Sequence, residues 1–206
     1  AMAQRVAHAA VRGARALRRR LRRLWRWLLW RERFLWLEAQ LQEPACDEVS
    51  LPAVRCYRFE ERWAFLGALP PEPAHRLARL WEALPQSWVF AAGDAAVPVV
   101  YYCFVSVGTV WIEEFALHRS FEAGEAYVHT CYTLPAYRGR GFHSRTLQAV
   151  CAWLWQHGFQ RAFAVVSERN APSLRGFLRA GFHVTGSVVH YRLCGHVLRS
   201  RPVFNS

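Results

Sequence analysis

The chain lacks lysine altogether, since all 27 of its basic residues are arginine. No local physical requirement excludes lysine at every position, so we interpret this as a bias of composition. Pairs with CxxC spacing and Cys/His metal patterns are also absent among the six cysteines. We therefore expect neither a zinc site nor a disulfide framework, but buried free thiols in a reducing compartment. The cysteines are Cys46, Cys56, Cys103, Cys131, Cys151 and Cys194.

The sequence also has no apolar stretch long enough to cross a membrane as a helix. Spanning requires about 20 mostly apolar residues, and the run over residues 24–37 is interrupted by four charged residues. A second apolar run, residues 97–112, is rich in Val and Tyr and contains Gly108, which is typical of two strands. Arginine recurs where a secretory signal would be apolar, so no signal peptide is expected.

Positive charge is concentrated at the start of the chain. The formal net charge is +12, and residues 1–33 contribute +10 of it through eleven Arg and one Glu. Apolar residues in this segment have helical spacing, with arginines on the opposite side. The apolar set is Leu17, Leu21, Leu24, Trp25 and Leu28, and the basic set is Arg18, Arg19, Arg22, Arg23 and Arg26. The sequence therefore predicts a basic amphipathic helical extension over residues 1–45.

Three roles fit such a helix. Tryptophan and leucine suit the acyl boundary of a membrane, with arginine on anionic headgroups. The same apolar stripe suits packing on this domain or on a partner subunit. Binding to a nucleic-acid backbone is the third role, and the aromatic-rich apolar side favours a membrane over it. We therefore expect residues 5–37 to contact an anionic membrane surface or a partner protein rather than nucleic acid.

Residues 46–206 predict a mixed α/β domain. Hydrophobic residues make up 53% of the chain and Trp number 10, so a sizeable core can be buried. Patterning predicts strands at 49–59, 88–92, 97–107, 109–118, 126–133, 162–166 and 182–193. Helices are predicted within 60–86, at 142–157 and at 171–180. The order of elements indicates a sheet with two late helices packed on it.

One turn carries most of the chemical information: Arg138-Gly139-Arg140-Gly141-Phe142-His143. It follows a strand-like run and opens a helix-like run, so free backbone N–H groups and the positive end of a helix dipole meet there. Glycine lets the backbone approach an anion closely, and the two arginines add positive charge. The turn therefore predicts a cradle for a pyrophosphate.

Residues 133–182 contain an ordered set of residues that resembles the GNAT superfamily of acyl-CoA N-acyltransferases. The pattern is a proline after a strand, [QR]-x-x-G-x-[GA] opening a helix, and then N-x-x-[AS]-x-x-x-Y-x-x-x-G-F. The matching residues are Pro135, Arg138, Gly141, Asn170, Ser173, Gly181 and Phe182. His143 stands where a small residue is usual, and Phe177 stands where Tyr is usual. The resemblance extends more loosely over residues 46–206 and implies a mostly antiparallel central sheet flanked by helices.

The resemblance further implies an acyl-CoA co-substrate, with acetyl-CoA as the first candidate, and no metal. The strand before the turn would splay from its neighbour and pair with pantetheine, which places the thioester near residues 129–133. The amides of residues 138–143 would take the pyrophosphate. Asn170 would lie near the cofactor, although a helix N-cap explains it equally well. The implied cofactor-binding residues are Cys131, Tyr132, Thr133, Arg138, Gly139, Arg140, Gly141, Phe142, His143, Asn170 and Ser173.

Acyl transfer to an amine also needs a base. Tyr127, His129 and Cys131 are expected to alternate on one side of the strand before the turn, with Tyr132 on the other. His129 has an ordinary pKa of about 6.5, which suits acceptance of an ammonium proton; the alternative is a hydrogen-bonded structural histidine. Other candidates are Glu113 and Glu114, which as neighbours on the preceding strand would point to opposite faces.

The family's tyrosine often protonates the departing thiolate, and Phe177 cannot do so. Because a CoA thiol has a pKa of about 8.5 and leaves readily, solvent or another group can take over this step. Cys131 as an acylated nucleophile is a further alternative, since thiols accept acyl groups. The resemblance favours direct attack by the amine.

These features predict an N-acyltransferase that works near a membrane surface, cytoplasmic or peripheral on the inner face of a membrane. The acceptor would be an amine on a small molecule, lipid, glycan or protein. An acyl carrier protein in place of CoA is a variant of this hypothesis. The alternative is a catalytically silent GNAT-like subunit that docks through the N-terminal helix. Phe177 and His143 favour that alternative, and the glycines of the cradle count against it.

Overall fold

The computed structural model describes residues 29–43, 53–94, 96–193 and 196–204. The first part comprises strand β1 (Leu29–Gln40), strand β2 (Val54–Tyr57), helix α1 (Arg62–Gly67) and helix α2 (Pro71–Ala83). Next come strands β3 (Trp88–Ala92), β4 (Tyr101–Ser106), β5 (Thr109–Ile112), β6 (Leu117–Ser120) and β7 (Glu125–Thr133). The last part comprises α3 (Phe142–Gln156), β8 (Arg161–Ser167), α4 (Ala171–Arg179), β9 (His183–Leu193), β10 (His196–Arg199) and β11 (Val203–Phe204).

One large sheet organises the domain, with the strand order β10-β9-β1-β8-β7-β4-β3-β2 and β11 paired beside β9. Among the described strands, β7 and β8 pair in parallel and the other neighbours pair antiparallel. Strands β5 and β6 form a separate hairpin. The predicted fold class, a mostly antiparallel α/β sheet flanked by helices, is confirmed.

The sheet is covered on both faces. On one face, called here the α3 face, α3 and α4 pack through Leu147, Val150, Leu154 and Phe177. On the other, the α2 face, α1 and α2 bring Phe65, Leu77 and Trp81 onto β3 and β4. The β5–β6 hairpin covers the rest of the α2 face with Val110, Ile112, Phe115 and Phe121. Because both faces of the sheet are buried, the central strands carry apolar residues at almost every position.

Strand β1 shows that residues 29–40 do not belong to the helical extension that was predicted over residues 1–45. It lies between β8 and β9 in the middle of the sheet, with Leu35 and Leu37 on the α3 face and Trp36 on the α2 face. A strand buried on both faces has apolar residues at consecutive positions, and such a run fits a helical pattern as well as a strand. Strand β1 therefore belongs to the sheet of the domain, although the predicted boundary at residue 45 had placed it in the extension. Residues 1–28, where the remainder of the helix was predicted, lie outside the described residues.

The prediction of one strand over residues 109–118 is also wrong. The chain turns between β5 and β6, where the N–H of Phe115 donates to Ile112 O and that of Ala116 donates to Glu113 O. Ala116 has φ 47°, a left-handed conformation that glycine or asparagine usually marks. Glu113 and Glu114 consequently lie in a hairpin turn rather than on a strand.

Helix α4 begins as the sequence indicates. The side-chain oxygen of Asn170 accepts the N–H of Ser173 at 3.3 Å, so the predicted N-cap is confirmed. In the described part of the chain, no helix combines the length and hydrophobicity needed to cross a membrane. The four cysteines described there, Cys56, Cys103, Cys131 and Cys151, carry free thiols.

Candidate active site

Strands β7 and β8 begin together and then separate. Their parallel pairing runs from Glu125 opposite Arg161 to Val128 opposite Ala164 and stops there, although β7 continues to Thr133. At the joined end, the Arg161 guanidinium contacts the buried Glu125 carboxylate. Beyond Val128, none of the described strands pairs with the edge of β7 that faces β8. The structure thus contains the gap that the resemblance implies.

A β-bulge lies at the open end of β7. Tyr102 of β4 faces Tyr132, and Phe104 faces His129, so one residue of β4 opposes two residues of β7 between these pairs. Thr130, one of the two, has φ 51°. A bulge of this kind reverses the alternation of side chains along the strand.

The bulge overturns the prediction that His129 and Cys131 share a side of the strand. Cys131 packs into the core of the α3 face. His129 stacks on Tyr127 on the α2 face, with ring centroids 5.1 Å apart. Tyr132, predicted to lie opposite His129, packs against Tyr102 on the α2 face as well.

The glycine-rich turn leads from β7 into α3. Gly139 and Gly141 have φ 76° and 80°, which non-glycine residues rarely adopt. Gly141 is the N-cap of α3 and supplies no side-chain acceptor, so the first amides of the helix are open to a ligand. Arg138 and Arg140 project from the same turn and are exposed. The free amides, the helix dipole and the guanidinium groups give this turn, called here the anion-binding turn, the chemistry needed to bind an anion.

A cavity of about 660 Å³ joins this turn to the open end of β7 and to α4. Its wall includes all of the predicted cofactor-binding residues except Arg140: Cys131, Tyr132, Thr133, Arg138, Gly139, Gly141, Phe142, His143, Asn170 and Ser173. Sequence reasoning missed Tyr101, Tyr137, Ser144, Pro172, Arg175, Gly176 and Arg179. The charged lining residues are Arg138, Arg175 and Arg179, so the cavity favours an anionic ligand.

His143 connects three elements at the floor of this cavity. Its Nε2 lies 3.2 Å from the carbonyl oxygen of Ser173, which can only accept, so Nε2 carries the hydrogen. Nδ1 is then an acceptor, and it receives the hydroxyl hydrogen of Tyr101 at 3.1 Å. Burial lowers the pKa of His143, against the opposing effect of the Ser173 bond, so the ring is neutral at pH 7. No pattern marks Tyr101 in advance, because β4 is an uninterrupted buried run.

Phe177 lies behind His143 and contributes no polar group. Its ring is 2% exposed and packs edge-on against His143 at 5.1 Å and against Phe182 at 5.0 Å. The position that usually holds the family's tyrosine is therefore part of the core of the α3 face.

The predicted base His129 lies on the α2 face, beside the open end of β7, and does not line the cavity. Its Nδ1 is 2.9 Å from the hydroxyl oxygen of Thr130, and its Nε2 is 2.7 Å from that of Ser106. Burial lowers the pKa of His129 to about 4. The imidazole is therefore neutral at pH 7 and bonded on both sides.

The two glutamates differ in their surroundings. Glu113 is exposed in the β5–β6 turn, whereas Glu114 is half-buried. Burial raises the pKa of Glu114, against the effect of a bond from its own backbone. Burial also raises the pKa of Tyr127, and the charge of Glu114 adds to that shift. In the described part of the chain, His, Cys, Asp and Glu side chains form no cluster able to hold a metal ion.

Comparison with known proteins agrees with this geometry. The model of the acetyltransferase (GNAT) family matches residues 57–182. A GNAT-family acetyltransferase from Colwellia psychrerythraea superposes with a TM-score of 0.56 at 12% identity, over 79% of this chain and 56% of that one. A GCN5-related N-acetyltransferase from Sphaerobacter thermophilus gives 0.54 at 19% identity, over 85% and 54%.

The chain spans little more than half the length of these two structures, and the likeness to them concerns the fold. No curated protein matches the sequence. The family model covers more than half of the chain and includes the gap, the bulge and the glycine-rich turn. The chain therefore belongs to the GNAT family of acetyltransferases.

Proposed function

We propose that this domain transfers an acyl group, acetyl in the simplest case, from acyl-CoA to an amine. The observation that carries the proposal is a single cavity with an anion-binding turn on one side and an unpaired strand edge on another. These two features match the two parts of the CoA arm, a charged pyrophosphate and an amide-bearing pantetheine. Membership of the acetyltransferase family supports the same donor.

In this proposal each part of the cavity holds one part of the donor. The amides at the start of α3 bind the pyrophosphate, and the arginines of the lining add charge. Pantetheine pairs with the free edge of residues 129–133 as an added strand would. The thioester then lies in the gap between β7 and β8, where the two faces of the sheet meet. An amine approaches it from the α2 face.

The chemistry needs orientation more than an acid. The amine nitrogen attacks the thioester carbon, a C–N bond forms, and the C–S bond breaks. Free N–H groups of β7 beyond Val128 stabilise the oxyanion. The half-buried Glu114 carboxylate attracts the cationic amine, which loses one proton to solvent before it attacks. His129 receives the second proton, which the nitrogen gives up as the C–N bond forms. Phe177 has no proton to give and Tyr101 is bonded to His143, so solvent protonates the departing thiolate.

Thermal unfolding with acetyl-CoA, longer acyl-CoAs and free CoA tests the donor. A ligand at about 100 times its Kd stabilises the fold by about 2.7 kcal/mol, and the shift should be largest for one acyl length. Release of free CoA thiol in the presence of a panel of primary amines tests transfer. The absence of thiol release with every acyl-CoA and amine would overturn the proposed transfer, and the absence of a thermal shift as well would exclude CoA as the ligand.

The second candidate is a silent subunit with the same fold. The buried, hydroxyl-free Phe177 is the observation that favours it. It predicts a thermal shift with CoA and no thiol release with any amine. An acyl carrier protein donor predicts thiol release from acyl-carrier protein but not from acyl-CoA.

We further propose that the segment before β1 holds the domain at an anionic membrane on its inner, cytoplasmic face. The charge of that segment and its Trp and Leu residues support this. Because β1 is a central strand, the deletion that tests it must end at residue 28. Loss of binding to vesicles containing phosphatidylserine, with unchanged thermal shift by acetyl-CoA, is expected. Unchanged vesicle binding would leave packing on a partner protein as the role of the segment.

A further inference from the structure

Four side chains form a continuous hydrogen-bonded row from the bulge of β7 to the start of β3. The Thr130 hydroxyl is 2.9 Å from His129 Nδ1, and His129 Nε2 is 2.7 Å from the Ser106 hydroxyl. The Ser106 hydroxyl lies 2.6 Å from the Ser87 hydroxyl. Each distance is within the normal range for a strong hydrogen bond.

In every hydrogen bond of this row, either partner can be the donor. A hydroxyl both donates and accepts, and a neutral imidazole does the same with its two nitrogens. His129 has a hydroxyl on each side, so neither tautomer is imposed on it. His143 differs in this respect, because the Ser173 carbonyl fixes its tautomer. Two histidines near the open end of β7 are therefore held in two different ways.

The two ends of the row lie in different places. Thr130 sits at the bulge, half-buried, where β7 has already parted from β8. Ser87 is buried directly after the exposed residues Pro85 and Gln86, and its carbonyl oxygen accepts the indole N–H of Trp81 at 2.9 Å. The row thus leads from the bulge at the open end of β7, through the interior of the α2 face, to just beneath the surface turn between α2 and β3.

We propose that this row, Thr130–His129–Ser106–Ser87, is a proton relay that carries the amine's proton away from the gap to solvent. The inference rests on acyl transfer as the proposed function. As the C–N bond forms, the nitrogen gives its proton to the Thr130 oxygen, and the Thr130 hydrogen passes to His129 Nδ1. His129 releases its Nε2 hydrogen to Ser106, Ser106 passes its own to Ser87, and Ser87 gives one to water.

The relay ends with every member neutral. Rotation of the hydroxyls and exchange of the imidazole tautomer restore the starting direction before the next turnover. A histidine that resists holding a charge suits this role, because it accepts a proton on one nitrogen while it releases one from the other. Thr130 is then the catalytic residue, since its hydroxyl meets the amine, and His129, Ser106 and Ser87 act through it.

The decisive variants are His129→Gln and Ser106→Ala. A glutamine amide keeps a donor and an acceptor beside Thr130 and Ser106 but cannot pass a proton through itself. With acetyl-CoA and the fastest primary amine of a panel, kcat should fall roughly 100-fold, while KM for acetyl-CoA and the thermal shift by acetyl-CoA stay unchanged. Ser106→Thr, which restores a hydroxyl, should recover the rate. Ser120→Ala is the control, because it removes a hydroxyl of an exposed pair with Thr109.

A second measurement tests the relay without any amine substrate. In the ¹⁵N spectrum of imidazole-labelled protein, His129 should show averaged shifts from two tautomers, and Ser106→Ala should collapse them to one. A single fixed tautomer in the wild-type protein, or full activity in His129→Gln, would overturn the relay. If the wild-type protein shows neither a thermal shift with acetyl-CoA nor transfer, the proposed acyl transfer is wrong. The tautomer measurement then still shows whether His129 can exchange its proton between its two nitrogens.

Discussion

The imidazole of His143 occupies the space that a side chain at Gly176 would need. A Cβ built on Gly176 would lie 2.0 Å from Cδ2 of His143, closer than real Cβ atoms come to any neighbour. The large side chain of His143 at the start of α3 is therefore accommodated by a glycine, Gly176, on α4. Through the same ring α3 is tied to Ser173 of α4 and to Tyr101 of β4.

Gly176→Ala should destabilise the fold by about 1–3 kcal/mol, because it overpacks a buried contact. It should also weaken acetyl-CoA binding, since it pushes His143 and the first turn of α3. The double variant His143→Ala/Gly176→Ala should recover part of the loss. Urea unfolding of the four proteins of this cycle measures the coupling. Additive effects of the two substitutions would contradict a direct contact.

Gly139→Ala should weaken acetyl-CoA binding at least 10-fold, because a Cβ at φ 76° distorts the anion-binding turn. Gly158→Ala is a matched control. Gly158 has φ 83°, and like Gly139 it has nothing within 4 Å of a built Cβ. Both substitutions should cost about 1 kcal/mol of stability, and titration calorimetry should show weakened binding for Gly139→Ala alone. Equal affinities would place the pyrophosphate elsewhere.

Arg175→Gln and Arg179→Gln should each weaken acetyl-CoA binding and reduce its dependence on salt, since both guanidinium groups line the cavity. Arg79→Gln, an exposed change on α2, should do neither. Titrations at two ionic strengths separate these outcomes. Binding to acetyl-pantetheine, which lacks the pyrophosphate, should be the same in all four proteins.

His129 should make stability depend on pH. Its pKa is about 4 in the folded protein against 6.5 ordinarily, so below pH 6.5 the unfolded chain binds more protons. The contribution of the neutral His129 to the free energy of unfolding is complete above pH 6.5. It is lost progressively as pH falls toward 4, by an amount on the order of 2–3 kcal/mol. His143, whose pKa is also lowered, acts with the same sign. Urea unfolding at pH 7 and 5 should show a smaller loss for His129→Gln than for the wild-type protein.

Much of the cofactor side of the site was predictable, because its signals are local. The glycines of the turn, Asn170 as N-cap and Gly181 after α4 each mark a backbone conformation that few residues adopt. Their order along the chain carries the family pattern. Strand β3 was predicted to the residue because turn signals bound a short apolar run.

The α2 face was not predictable in the same way. The bulge at Thr130 places a non-glycine residue at positive φ, and nothing near it in the sequence announces that. The turn at Ala116 is similar, so the surroundings of Glu114 were misjudged. The row from Thr130 to Ser87 depends on three strands meeting, which only the register of the sheet determines.

The place of β1 in the sheet determines when this strand can pair during synthesis. Its residue Phe34 pairs with Ser167, 133 positions later, and its other edge waits for β9. At about 5–20 residues per second, on the order of ten seconds pass on the ribosome before the first of these partners exists. During that time Leu35, Trp36 and Leu37 have no sheet to enter. Strand β1 is thus synthesised well before both strands that flank it in the sheet, and its apolar residues need shielding from solvent and from other chains until β8 and β9 have been made.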